Sequence, residues 1–143
     1  MKLRERSMYP HLGSYLERRG YEVSVGVRPR PGSPREFDVV GVRTREREAV
    51  TIEAKNGHFS SAFRQAALRM FVSDYVYVSF PRTYARFAAR VHGDCLAQAG
   101  IGLLAVDGCR VRMLSPARRS EFVSAERRDA LISMVTGGTH GGR

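Results

Sequence analysis

Residues 36–55 constrain the fold of this chain more than any other stretch. They read Glu-Phe-Asp-Val-Val-Gly-Val, then Arg-Thr-Arg-Glu-Arg-Glu, then Ala-Val-Thr-Ile-Glu-Ala-Lys. Two arms rich in Val and Ile, joined by a segment too charged to bury, predict a β-hairpin. Three polar residues interrupt the apolar arms: Asp38 in the first, Glu53 and Lys55 in the second. Side chains alternate along a strand, so Glu53 and Lys55 share one face while Ile52 and Ala54 take the other. With Asp38 across the hairpin, two carboxylates and one ammonium converge, an arrangement rarely buried without a partner or a metal.

Lysine usage singles out the same place. Of 24 basic residues only Lys2 and Lys55 are lysines; Arg supplies the rest. For a chain with this few lysines the chance expectation of a Glu-x-Lys triplet is about 0.1. A compact ammonium, not a planar fork, stands in the one place where that difference matters. The competing reading is a surface strand carrying an ordinary cross-strand ion pair. Two carboxylates without a neighbouring His or Cys suit a hard cation, Mg²⁺ or Mn²⁺. Beside such an ion, an ammonium can orient an attacking water or stabilise phosphate charge, as phosphodiester hydrolysis requires.

Asp38, a spacer, and Glu53-Ala-Lys55 on the next strand resemble the PD-(D/E)XK nuclease superfamily, which includes type II restriction endonucleases and archaeal Holliday junction resolvases. Phe37 stands where many members carry proline. The resemblance spans roughly residues 3–106. It implies an α/β restriction-endonuclease-like core, with a mixed central β-sheet flanked by helices. It also implies Asp38 and Glu53 as metal ligands, the Ala54 carbonyl as a third, and Lys55 next to the nucleophile. Members often add an acid from the first helix. Glu5, Glu17 and Glu22 are the candidates, and Glu5, one turn before the Tyr9-Pro10 pair, is the one the resemblance favours. Gln65 is similar in position to a glutamine that some members carry on the helix after the Glu-x-Lys strand; a polar surface residue is the alternative. The implied substrate is DNA, and a homodimer would let so small a chain engage both strands.

Composition is compatible with this. The net charge of +10 favours a polyanionic partner, nucleic acid first. Such a charge also fits a basic RNA-binding protein, in which the polar trio is a surface pair, and a non-catalytic nucleic-acid-binding module of the same fold. No apolar run approaches the roughly 20 residues of a membrane helix, and no apolar leader follows the N-terminal charges, so a cytoplasmic protein is expected. Cys95 and Cys109 lack metal-ligand spacing and are expected to be buried free thiols. Walker, Gly-x-Ser-x-Gly and His-x-x-x-His patterns are all missing.

The remaining pattern predicts a helix over 3–19, started or kinked at Pro10, and a strand over 21–28 with Tyr21, Val23, Val25 and Val27 on one face. Arg28-Pro-Arg-Pro-Gly-Ser-Pro34 is a stiff loop whose arginines lie before the Asp38 strand. Then come a helix capped by Ser60 or Ser61, a strand over 74–80 stopped by Pro81, and a helix over 82–99 with Tyr84, Phe87, Ala88, Val91 and Cys95 inward. Arg82, Arg86 and Arg90 fall on one stripe of that helix, a solvated face or a nucleic-acid contact. A strand over 101–106 turns at Asp107-Gly108 into a last strand over 109–114. The nuclease-like domain thus occupies 1–116. Residues 117–143 hold a C-terminal helix starting at Ser124 and a mobile basic tail.

Overall fold

The computed structural model describes residues 3–28 and 36–137. The prolines of the 28–34 loop and the tail from 138 lie outside the described residues. Six strands form one mixed sheet in the order β1 (Glu22–Val27), β2 (Phe37–Arg43), β3 (Glu48–Ala54), β4 (Tyr75–Pro81), β5 (Gly102–Asp107) and β6 (Arg110–Ser115). The β1–β2–β3 meander is antiparallel, β3, β4 and β5 run parallel, and β6 returns antiparallel. The helices α3 (Phe59–Arg69) and α4 (Arg82–Ala99) are the crossovers that parallel pairing demands.

The N-terminal helix is divided into α1 (Leu3–Ser7) and α2 (Tyr9–Glu17), with Pro10 in the first turn of α2, where a missing N–H leaves no hydrogen bond unmade. Helix α2 covers one face of the sheet, packing Leu12, Tyr15 and Leu16 against Val39, Val50, Ile52 and Ala54. The other face carries α3 and α4 against Val76, Val78, Phe80, Leu103 and Ala105. On that same face α5 (Ala125–Thr136) sets Leu131, Ile132 and Val135 against Val40, Val42 and Ala49. Ser124 caps α5, its hydroxyl accepting from the Arg127 N–H at 3.3 Å. Ser124→Ala should cost about 1 kcal/mol in urea unfolding and leave the denaturant slope unchanged.

Several expectations are corrected by packing. The inward arc of α4 is Ala85, Ala88 and Leu96, while Phe87, Val91 and Cys95 are exposed. The true stripe is rotated by one residue from the apolar-looking one, because alanines let the helix approach β4 and β5 closely. Cys109 is exposed too: the pairing Asp107↔Arg110 makes Gly108 (φ 60°) and Cys109 the turn residues, not Asp107-Gly108. Helix α3 begins at Phe59, with left-handed His58 as its cap residue rather than Ser60 or Ser61. The cap is tertiary, since the Phe59 N–H donates to the Tyr84 hydroxyl at 2.9 Å. In β1, Val25 is exposed while Val23 and Val27 pack into different clusters; left-handed Gly26 (φ 62°) interrupts the alternation. Glu48, read as part of an exposed turn, is buried in β3, where it accepts from the Tyr21 hydroxyl and faces Arg43 and Arg119.

Candidate active site

The hairpin register decides the geometry. The pairing runs to Val39 with Ile52, and just beyond it the Ala54 N–H donates to the Asp38 carboxylate, which holds Asp38 beside Glu53. Glu53 is on the face covered by α3, where Arg69 meets it, whereas Ile52 and Ala54 point into the α2 core, and the Asp38 carboxylate reaches Tyr9 of α2. The pair sits at the C-terminal end of β3, the edge at which parallel α/β sheets bind ligands. Lys55 follows directly and is half-buried; its N–H donates to the Ser79 carbonyl at 3.0 Å and extends the parallel pairing.

Each carboxylate is fixed by donors. Asp38 accepts from the Ala54 N–H and from the Tyr9 hydroxyl, both at 2.8 Å. Glu53 is 1% exposed and accepts from Arg69 Nε at 2.9 Å. The Arg69 guanidinium also donates to the Glu36 carbonyl at 2.9 Å and lies 4.1 Å over the Phe37 ring. Burial pushes the Asp38 carboxyl above its ordinary value, against the pull of its two donors and of the Lys55 and Arg69 charges. Burial also raises Glu53, and the neighbouring Asp38 charge adds to the rise, offset in part by Arg69 and Lys55. Two like charges pressed together in a poorly solvated place favour a bound cation. The Tyr9 phenol is shifted upward by burial and by Asp38, so it remains a donor.

The other residues expected at the site divide. Glu5 reaches its rim, where Oε2 accepts from the Asn56 N–H at 3.2 Å, directly after Lys55. Glu17 and Glu22 belong to the far end of α2 and the start of β1. Gln65 is half-buried on α3, one turn before Arg69 on the same side, and makes no hydrogen bond to either carboxylate among the described residues. Tyr9 and Arg69 were not singled out in the sequence. The Tyr-Pro pair marked a helix start and Arg69 was one arginine among many. Arg69 lies at the edge of the apolar stripe of α3, next to Ala62 and Ala66, so the helical pattern does not set it apart.

The donor set fits a hard cation. Asp38, Glu53 and the Ala54 carbonyl offer oxygen only, and each carboxylate oxygen has a lone pair beyond the hydrogen bond it accepts. Among the described residues no group of three or more His, Cys, Asp or Glu is poised for a metal, so water and substrate oxygens would complete the shell. The arginine stripe of α4 is exposed, with Arg82 3.6 Å from Asp107. No helix among the described residues is long and apolar enough to cross a membrane.

No family model matches the chain, and no curated protein matches it. A solved structure of a protein of unknown function from Silicibacter pomeroyi is similar in fold, with a TM-score of 0.67 and 20% identity over 93% of this chain and 82% of that one. At that identity the likeness concerns architecture alone: a six-stranded mixed sheet flanked by helices.

Proposed function

We propose that this chain is a metal-dependent nuclease hydrolysing DNA phosphodiester bonds on a restriction-endonuclease-like core. The observation carrying the reading is half-buried Asp38, held by the Ala54 N–H beside buried Glu53, with half-buried Lys55 following directly on β3. Asp38, Glu53 and the Ala54 carbonyl would hold Mg²⁺ or Mn²⁺. When bound, such an ion acidifies a water and neutralises charge on the scissile phosphate. Tyr9 and the Ala54 N–H hold Asp38 in place, and Arg69 holds Glu53. Lys55 brings an ammonium to the same end of the strand, where it orients the attacking water or stabilises the phosphate oxygens. Glu5 at the rim is positioned as an additional acid, and Gln65 as a polar group on the covering helix. The exposed Arg82, Arg86 and Arg90 supply a basic stripe for the DNA backbone. A homodimer would engage both strands.

A second reading is a nucleic-acid-binding module of this fold without cleavage. The Arg69–Glu53 ion pair favours it, because a resident guanidinium already neutralises one carboxylate. Incubating duplex, branched and single-stranded DNA with the protein in Mg²⁺, Mn²⁺ or EDTA separates the two. The nuclease cleaves at least one substrate with either metal and none in EDTA. Robust cleavage in EDTA would remove the proposed mechanism, and tight binding without cleavage in any metal would establish the module.

A further inference from the structure

Resting on the metal reading above, we infer that Arg69 is the resident counter-cation of the Asp38–Glu53 pair, and that a divalent cation binds there in competition with its guanidinium. Charge counting leads to this. Two carboxylates lie together where β2 begins and β3 ends, Asp38 being held by the N–H next to Glu53, and two cations, Lys55 and Arg69, act on both. The cluster is therefore already neutral. Arg69 and Glu53 have side chains only 11% and 1% exposed, so solvent screens them little. A doubly charged ion added beside an undisplaced guanidinium would leave a poorly screened excess of positive charge.

Arg69 has a place to remain after it releases Glu53. Its guanidinium donates to the Glu36 carbonyl as well and rests on the Phe37 ring, and neither contact depends on Glu53. It comes from the last turn of α3, so rotation of its long side chain leaves the helix undisturbed. The Nε–Oε2 contact of 2.9 Å is thus the one bond that an incoming ion must replace. Arg69 then sets how much divalent metal the protein needs, holding Glu53 in place until the ion arrives.

The test is calorimetric titration of Mn²⁺ into DNA-free protein, with thermal melts in EDTA and in Mn²⁺. Arg69→Met should bind Mn²⁺ about tenfold more tightly than wild type, because a poorly screened like charge has gone. Arg69→Lys keeps the charge and should stay within about threefold of wild type. In EDTA the Met variant should melt below wild type, and saturating Mn²⁺ should raise its Tm by more than it raises wild type's. Adding Asp38→Asn to Arg69→Met should abolish the gain, which places the ion. Should Arg69→Met not fold, Arg69→Gln, neutral but still able to donate, carries the same comparison. Binding by the Met variant alone supports the inference. Equal affinity in wild type and variant overturns it and leaves the metal reading standing; no binding by either at millimolar Mn²⁺ overturns both.

Discussion

Lys55→Arg should reduce single-turnover DNA cleavage on the order of 10²-fold or more, the scale lost with one positioned electrostatic group, while fold, DNA affinity and metal binding persist. The swap keeps the charge and uses the cation that this chain employs almost everywhere else. Lys55 is half-buried at the end of β3, and its charge bears on both Asp38 and Glu53. A guanidinium is wider and planar, so it cannot place one compact charge where an ammonium touches the attacking water or the phosphate. A surface cation, by contrast, would tolerate the change within about 0.5 kcal/mol of stability and without loss of rate. Melting temperature, DNA affinity and cleavage belong in the same experiment. Wild-type cleavage by a normally folded Lys55→Arg would refute the role assigned to the lysine.

Asp38→Asn should lose cleavage on the order of 10³-fold and gain thermal stability at neutral pH in EDTA, a pairing that only a functional carboxylate would show. The Asn amide can meet both local demands, its carbonyl accepting from the Ala54 N–H and its NH₂ donating to the Tyr9 oxygen. What disappears is a half-buried charge beside Glu53. The sign follows from linkage. Burial raises the Asp38 carboxyl above its unfolded value, and burial with the Asp38 charge raises Glu53. The folded protein therefore binds these protons more tightly than the unfolded chain does. The stability they contribute is fully present below the unfolded carboxylate range, near pH 4, and is lost as pH rises through the raised folded values. Against wild type the Asn variant should melt roughly 3 °C higher at pH 7, with the gap closing toward pH 4. Melting curves across that range decide the matter; a gap that is flat or reversed would show that Asp38 is not strained by its setting.

The contrast between Glu53 and Arg69 shows what could be read from the residue order. Glu53 was legible because it breaks an apolar strand, and strand alternation is a local rule that fixes its face relative to Ile52. Asp38 was legible for the same reason, and the charged connection between the arms implied the hairpin that brings the two together. Arg69 had no such contrast around it. Its helix is amphipathic, arginine is abundant, and nothing local states that α3 crosses back over β3 to set one guanidinium on Glu53, Phe37 and the Glu36 carbonyl. Tyr9 was equally opaque, since its hydroxyl reaches Asp38 across a separation of 29 residues.

The same division runs through the scaffold. The sequence by itself determined the order of helices and strands, the start of the last helix at Ser124 and the helix start at Pro10, because each depends on neighbours within a few residues. Tertiary structure decided which arc of α4 turns inward, that both cysteines are exposed, that Tyr84 caps α3, and that Glu48 and Asp74 are buried among arginines. Those outcomes depend on how closely two elements approach and on which distant donor meets a buried acceptor. Side-chain volume and charge compensation settle such contacts in three dimensions, and a linear pattern does not encode them.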